Sequence, residues 1–244
     1  MKRLLRLAHP QFYLVMLFLP FCVSCRFSEF LSRKPSRYKS LNVVRKWSAF
    51  LPSLLSGITY KIRYKQQVNW DRPFIVVANH SSNLDIFAMS VMMKGNYFFL
   101  GKDELLDHFV TSLYFKTIDV PINRQSKMSS YKAFKKCEER LKDNMSLVIF
   151  AEGKIGDEYP PMLHPFKSGP FRLAIDNQIP VLPVTIVNSW EKMWDDGSRF
   201  GLRPGVCRVV VHELIDTAHL GEKDEEKLKD NVFEIVHSAL NYQK

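Results

Sequence analysis

The sequence contains little glycine and little cysteine. Its 244 residues include 10 Gly, 13 Pro and 4 Cys, and this composition excludes a collagen-like or low-complexity chain. The cysteines have neither the number nor the spacing of a disulfide framework or a zinc site. They are Cys22, Cys25, Cys137 and Cys207. We therefore expect free thiols in a reducing, cytoplasm-facing location, with no metal centre and no cofactor.

Most of the chain carries no excess of positive charge. The formal net charge is +10, but residues 47–244 contain 25 basic and 24 acidic residues. Residues 1–46 contain ten basic residues and one acid, Glu29. A nucleic-acid-binding domain carries its cations on the folded body, so we expect no nucleic-acid partner. The basic arm instead predicts contact with a membrane surface rich in anionic lipids, at the cytoplasmic face of the cell inner membrane.

A long uninterrupted apolar run is missing as well. No residue is charged between Arg6 and Arg26, but this 19-residue stretch contains Pro10 and Pro20. A helix that spans a bilayer needs roughly 20 predominantly apolar residues. Three interpretations stay open: a cleaved signal peptide, a single spanning helix, and an interfacial or shallow re-entrant anchor. The flanking basic residues favour the anchor.

A second apolar pattern follows the basic arm. Six residues have the spacing of one helix face: Trp47, Phe50, Leu51, Leu54, Leu55 and Ile58. Such a stripe either packs on the core or lies against lipid. We predict that residues 1–58 form a basic, apolar and amphipathic helical segment that associates with the membrane, followed by a domain over residues 59–244.

Short apolar runs alternate with amphipathic stretches over residues 59–244. The predicted strands are Thr59–Tyr64, Phe74–Ala78, Tyr97–Leu100, Thr117–Val120, Ser146–Phe150, Val181–Val187 and Val206–His212. The predicted helices are Leu84–Met93, Asp103–Phe115, Ser129–Asp143, Phe166–Asn177 and Asp224–Tyr242. This order predicts an α/β fold in which helices flank a mostly parallel central sheet. In such sheets, functional side chains lie where strands end.

A histidine and an aspartate follow the apolar strand Phe74–Ala78. His80 lies in the expected strand-to-helix loop, and Asp85 lies in the first turn of the next helix. There the aspartate can accept a hydrogen bond from one ring nitrogen and leave the other nitrogen as a base. The same spacing recurs at His219 and Asp224. No strand leads to that second pair, so we expect no chemistry from it.

Three further segments follow in a fixed order. They are VPINR at 120–124, FAEGK at 150–154 and IPVLPV at 179–184, after NHSSNLD at 79–85. Over about residues 47–215 the chain resembles the glycerolipid acyltransferase family, the lysophosphatidic acid acyltransferases and their relatives. That family carries N-H-x4-D, an arginine after a short strand, F-P-E-G-T-R and a proline-rich strand in this order.

The resemblance implies a role for each matching residue. His80 would be the general base that deprotonates an acceptor hydroxyl, and Asp85 would orient it. Arg124, Glu152 and Gly153 would hold the phosphorylated acceptor, with Lys102 and Lys154 as further cations. The reaction would move a fatty acyl group from acyl-CoA or acyl-carrier protein to the hydroxyl of a lysophospholipid such as 1-acyl-glycerol-3-phosphate. Its partners would be the lipid substrate, the membrane surface and acyl-carrier protein.

Two departures from the family pattern concern the acceptor. Ala151 replaces the proline before Glu152, and Lys154-Ile155 replaces the Thr-Arg that follows Glu-Gly. A lysine keeps the charge of the missing arginine but loses its bidentate geometry. Two alternatives therefore stay open beside the leading hypothesis: an acyltransferase for a lyso-amino-acid lipid, and a non-catalytic lipid-binding membrane protein. A thioester hydrolase is disfavoured because no nucleophile is evident.

Overall fold

One seven-stranded sheet forms the centre of the molecule. The computed structural model describes Val15 and residues 22–241. Strands β1 to β7 cover Ile58–Tyr64, Ile75–Ala78, Tyr97–Lys102, Val120–Ile122, Ser146–Phe150, Val181–Ile186 and Gly205–Val211. Their order in the sheet is β1-β7-β6-β2-β5-β3-β4. Neighbouring strands are parallel except β6 and β7, so the predicted mostly parallel sheet is confirmed.

Helices cover both faces of this sheet. The described part of α1 covers residues 22–32. Helices α2 to α8 cover Tyr38–Leu55, Leu84–Met92, Phe109–Phe115, Lys127–Lys142, Gly169–Asp176, Ser189–Lys192 and Glu225–Asn241. Side chains alternate along β2, so that Ile75 and Val77 pack into one apolar cluster and Val76 and Ala78 into the other. The central strands are therefore buried on both faces, as parallel strands usually are.

Two predicted elements near residue 110 differ from the structure. The single helix predicted over Asp103–Phe115 is a 3-10 helix at Asp103–Leu106 followed by α4, because the backbone of His108 is extended. The strand predicted at Thr117–Val120 begins only at Val120. The N–H groups of Thr117 and Asp119 both donate to the carbonyl of Tyr114, at 3.1 and 2.8 Å. These residues therefore form the turn that ends α4.

The apolar stripe predicted after the basic arm faces outward on α2. Trp47, Leu51, Leu54 and Leu55 are 40 to 60% exposed, so the core-packing alternative is wrong for these four residues. Ile58 instead begins β1 and is buried. The apolar run at 12–21 lies outside the described residues apart from Val15. Among the helices that the structure describes, none has the length and apolarity to cross a membrane.

The opposite face of α2 is attached to the sheet by a buried ion pair. A guanidinium nitrogen of Arg45 lies 2.9 Å from Oδ2 of Asp119, just before β4, and both side chains are at most 7% exposed. The other carboxylate oxygen accepts the N–H of Phe99 in β3 at 2.9 Å. The guanidinium also lies over the ring of Tyr114, 4.1 Å from its centroid, which is within the roughly 6 Å range of a cation–π contact. This pair joins α2 to the edge of the sheet formed by β4, and Arg124 lies just after that strand.

Candidate active site

The loop after β2 is fixed to the neighbouring strand by the side chain of Asn79. The amide nitrogen of Asn79 donates to the carbonyl of Ile186 at 2.9 Å, and the amide oxygen accepts the N–H of Ile186 at 2.8 Å. The side chain of Asn79 thereby satisfies both main-chain groups of Ile186 in β6, as a neighbouring strand would. The next residue, His80, consequently starts from a fixed main-chain position. Sequence reasoning did not find this role, because the partner lies far away in the sequence.

His80 and Asp85 form a hydrogen-bonded pair. The ring Nδ1 of His80 lies 3.0 Å from Oδ2 of Asp85, and the side chains are 14% and 0% exposed. The same carboxylate oxygen accepts the N–H groups of Ser81 at 2.7 Å and Ser82 at 2.9 Å. Because Nδ1 carries the hydrogen that faces the carboxylate, the lone pair of a neutral ring lies on Nε2. The structure thus brings together the two residues that the spacing singled out, in the geometry of an oriented general base.

Phe150 and Glu152 hold His80 from the side of β5. The rings of His80 and Phe150 are stacked, with centroids 4.1 Å apart. The N–H of His80 donates to one carboxylate oxygen of Glu152 at 2.6 Å, and the N–H of His164 donates to the other at 2.8 Å. Burial raises the pKa of Glu152 to about 7, although these two hydrogen bonds act in the opposite direction. Both oxygens of Glu152 therefore bind main-chain groups, and its predicted contact with the acceptor stays a prediction.

Arg124 lies beside Gly153 at the ends of β4 and β5. Gly153 has a φ of +80° and no side chain, and a Cβ atom at this position would lie 4.0 Å from Cζ of Arg124. Arg124 is exposed, and partial burial lowers the pKa of its guanidinium while Glu104 raises it. Lys102 and Lys154 are exposed, and Nζ of Lys102 lies 3.9 Å from a carboxylate oxygen of Glu104. The structure therefore brings Arg124 and Gly153 together and leaves the two lysines at the surface.

The loop around Asp195 contacts the loop that carries His80. The carbonyl of Asp195 accepts the N–H of Asn83 at 2.9 Å, and the hydroxyl of Ser82 donates to the carbonyl of Met193. Burial and the neighbouring Asp196 raise the pKa of the Asp195 carboxyl, and His80 lowers it. Asp195 is a residue near the imidazole that sequence reasoning missed, because more than a hundred positions separate the two.

Aromatic side chains cover this side of the site. They come from the loop after β5, from α7 and from the segment that follows α7, and they are Tyr159, Trp190, Trp194 and Phe200. The rings of Tyr159 and Phe200 are the nearest to each other, with centroids 4.3 Å apart. Because the carbonyl just before Trp194 binds Ser82, this apolar cluster adjoins the loop of His80. In the part of the chain that the structure describes, no group of His, Cys, Asp and Glu is arranged to hold a metal ion.

Known proteins resemble this chain in sequence and in fold. A family model described as Acyltransferase matches residues 59–187. A chloroplastic 1-acyl-sn-glycerol-3-phosphate acyltransferase of Brassica napus is 29% identical over 179 residues, which cover 70% of this chain and 51% of that protein. A 1-acyl-sn-glycerol-3-phosphate acyltransferase of Haemophilus influenzae is 25% identical over 197 residues, which cover 78% of this chain and 76% of that protein.

The fold has a solved counterpart. The crystal structure of the 1-acyl-sn-glycerophosphate (LPA) acyltransferase PlsC from Thermotoga maritima has a TM-score of 0.79 and 21% identity. The match covers 99% of this chain and 97% of that chain. The chain spans about half the length of several curated relatives that it matches, 49 to 51% for three of them.

Proposed function

Since the chain belongs to the acyltransferase family, we propose that it transfers a fatty acyl group from an acyl thioester to the free hydroxyl of a lysophospholipid of the 1-acyl-glycerol-3-phosphate kind. The observation that carries the proposal is the buried carboxylate of Asp85, 3.0 Å from Nδ1 of His80. Several relatives are named as 1-acyl-sn-glycerol-3-phosphate acyltransferases, which supports this class of acceptor.

The proposed reaction needs one base and no acyl-enzyme. Nε2 of His80 takes the proton of the acceptor hydroxyl as that oxygen attacks the thioester carbonyl carbon. The C–S bond of the tetrahedral species then breaks, and the imidazolium gives its proton to the departing thiolate. The products are an ester and a free thiol. Asp85 stays ionised throughout and stabilises the positive ring through the hydrogen bond to Nδ1.

The groups around the base have distinct proposed tasks. Arg124 binds the anionic head group of the acceptor, because a guanidinium can donate two hydrogen bonds to one phosphate. Gly153 leaves room for that head group beside the guanidinium. Glu152 is a positioning residue, since its carboxylate binds the N–H of His80 rather than facing outward. The aromatic cluster of Tyr159, Trp190, Trp194 and Phe200 provides apolar surface for an acyl chain.

The proposed activity is tested with the purified chain and defined substrates. Acyl-CoA and acyl-carrier protein are supplied separately as donors, each with a panel of acceptors: lysophosphatidic acid, lysophosphatidylcholine and a lyso-amino-acid lipid. We expect diacylated product from lysophosphatidic acid, detected by mass spectrometry. Product from the lyso-amino-acid lipid alone would move the proposal to that acceptor. Free fatty acid without acceptor acylation, or no turnover with any pair, would contradict it.

We also propose that α2 lies against a membrane surface. Its outward face carries Trp47, Leu51, Leu54 and Leu55, and exposed apolar patches of this kind are typical of interaction sites. The ten basic residues among residues 1–46 supply attraction to anionic lipids. The proposed location is the cytoplasmic face of the cell inner membrane, in line with four free cysteines.

Vesicle binding separates the apolar from the electrostatic part of this contact. Vesicles of phosphatidylcholine with and without phosphatidylglycerol are sedimented with the wild-type chain and with Leu51→Glu/Leu54→Glu. We expect binding to the anionic vesicles that falls at least about tenfold in the double variant, since two apolar side chains are replaced by charges. Met162→Glu, at another exposed apolar residue, is the matched control. Equal binding of all three proteins would contradict the proposed surface.

A further inference from the structure

Two cationic side chains flank the bare backbone of Gly153. A Cβ atom at this glycine would lie 4.0 Å from both Cζ and Nε of Arg124 and 3.8 Å from Cγ of Lys167. Arg124 follows β4, whereas Lys167 lies two residues before α6. Two separate segments thus carry positive charge to the same glycine. Lys167 has no place in the four motifs, and the spacing of the sequence did not point to it.

The main chain of Lys167 is held firmly while its side chain reaches outward. The N–H of Lys167 donates to the carbonyl of Ala151 at 2.9 Å. The preceding residue, Phe166, is buried in the core and packs against Phe233. The side chain of Lys167 itself is exposed. The main chain of Lys167 is therefore fixed beside the Ala151–Gly153 segment, and its exposed side chain can reach a ligand there.

The other lysines near the site differ from Lys167 in their neighbours. Lys102 has a carboxylate oxygen of Glu104 at 3.9 Å, and the charge of Lys154 helps to lower the pKa of Glu158. Arg124 and Lys167 have no carboxylate oxygen within 4.0 Å among the described residues. Burial lowers the pKa of the Arg124 guanidinium and Glu104 raises it, but Glu104 forms no ion pair with it, so both cations can bind an anion.

The position of Gly153 connects the cations to the base. Its neighbour Glu152 accepts the main-chain N–H of His80 at 2.6 Å, so the cations lie one residue away from the carboxylate that binds the backbone of His80. The chain also has Lys154-Ile155 where the family pattern has Thr-Arg. The motif therefore keeps a lysine but lacks the guanidinium, and Lys167 approaches the same glycine from a different segment.

We propose that Lys167 binds the phosphate of a substrate together with Arg124, beside the backbone of Gly153. The guanidinium supplies two parallel hydrogen bonds and the ammonium a point charge. The phosphate belongs either to the head group of the acceptor or to the nucleotide part of acyl-CoA. This assignment rests on the proposed acyl transfer, and it makes Lys167 a determinant of specificity for an anionic substrate.

The test compares Lys167→Met, Lys167→Arg and the wild-type chain by steady-state kinetics. Lys223→Met is the matched control, because Lys223 is an exposed lysine in the 3-10 helix Glu222–Asp224. We expect Lys167→Met to raise the KM of the phosphate-bearing substrate about tenfold or more with little change in kcat. Lys167→Arg should stay within about threefold of the wild type, since the charge is kept. Equal thermal unfolding midpoints confirm that all the variants are folded.

Substrates that lack phosphate identify its source. If the acceptor supplies it, the KM effect appears with lysophosphatidic acid and disappears with a phosphate-free monoacylglycerol. If the donor supplies it, the effect appears with acyl-CoA and disappears with an acyl-pantetheine. KM values of Lys167→Met within twofold of Lys223→Met for every substrate would overturn the proposal.

A binding measurement keeps this outcome separate from a failure of the proposed function. If the wild-type chain transfers no acyl group, lysophosphatidic acid and CoA are titrated calorimetrically into the wild type and Lys167→Met. Weaker binding of either ligand to the variant supports the phosphate site although the acyl transfer is wrong. Equal affinities for both ligands, or no binding to the wild type, overturn it.

Discussion

Two segments of this chain carry a histidine and an aspartate at the same spacing, and their surroundings differ. At the end of β2, Asp85 is fully buried and lies 3.0 Å from Nδ1 of His80. Near the last helix, Oδ2 of Asp224 instead accepts the N–H of Gly221 at 2.9 Å. In the described part of the chain, Asp224 has no ion pair with the exposed His219.

This difference shows why only one of the two His-x4-Asp segments forms a hydrogen-bonded pair. The spacing alone leaves an aspartate free to bind the nearest main-chain N–H, as in a turn or helix cap. At His80 the strand fixes the histidine, and two N–H groups fix the carboxylate that faces it. Burial then strengthens the hydrogen bond between the two side chains, because the surrounding medium screens charge weakly.

The largest effect is expected from removing the imidazole. His80→Ala should lower kcat/KM between about 10²- and 10⁴-fold, because no base remains to take the hydroxyl proton. His219→Ala, with the same spacing and an exposed side chain, should stay within about twofold of the wild type. Acyl transfer is measured under identical conditions, and circular dichroism checks the fold. A large loss of kcat/KM in His219→Ala, or no loss in His80→Ala, would contradict the proposal that only the His80 segment is catalytic.

Removing the charge of the orienting aspartate is expected to have the second largest effect. Asp85→Asn should lower kcat about 10²-fold, because an amide no longer stabilises the imidazolium or fixes the ring tautomer. Asp224→Asn serves as the control and should retain full activity. The split between kcat and KM decides the outcome. A rise in KM alone would mean that Asp85 acts on substrate binding rather than on His80.

Glu152 sharpens the comparison, because no carboxylate among the described residues binds the main chain of His219 as Glu152 binds that of His80. The pKa of Glu152 is raised from 4.5 to about 7, so the folded state holds this proton more tightly than the unfolded chain. The contribution of Glu152 to the free energy of unfolding therefore falls as the pH rises from about 4.5 to about 7, by about 3 kcal/mol. Glu152→Gln removes that dependence and leaves one main-chain N–H facing an NH₂ group.

The pH dependence of Glu152 is measured as a difference, so that the other titrating groups cancel. Urea unfolding of the wild type and Glu152→Gln is followed at pH 5 and pH 8. The stability difference between the two proteins should change by about 3 kcal/mol in favour of the variant at the higher pH. A constant difference across this range would show that the carboxyl of Glu152 titrates near its ordinary value.

The smallest effect is expected from Ser82. Its hydroxyl accepts the N–H of Leu84 at 3.0 Å and donates to the carbonyl of Met193. Ser82→Ala leaves both groups without this partner and should lower the free energy of unfolding by about 1–3 kcal/mol. Activity should fall much less than in Asp85→Asn, since the main-chain N–H of residue 82 still binds the carboxylate. Urea unfolding and acyl transfer measure the two effects separately.

The central part of the fold could be predicted because its strands are continuous apolar runs. The prediction of β5 over Ser146–Phe150 matches the structure at both ends, and α3 begins at the predicted residue and ends one residue earlier than predicted. The strand before Arg124 could not be bounded, because β4 has only three residues at the edge of the sheet. Its apolar pattern merges with the turn that closes α4.

The local part of the site was likewise predictable, and the distant part was not. His80 and Asp85 are five positions apart, so a loop and one helical turn bring them together. The second oxygen of Glu152 binds the N–H of His164, and Lys167 approaches Gly153 from the other end of a long loop. Such contacts depend on how loops cross above the sheet, which neither spacing nor periodicity encodes. The family resemblance is confirmed by the matching model, but it contains no information about Lys167.

The buried pair of Arg45 and Asp119 determines how the protein meets any surface that α2 contacts. Separating such a pair leaves an uncompensated charge in the interior, at a cost of about 3–5 kcal/mol. The pair therefore opposes any separation of α2 from this edge of the sheet. With the proposed lipid contact on the outer face of α2, the fold also sets the tilt and depth of the strand ends. The height of the imidazole above the lipid then depends on the fold and not on a flexible linker.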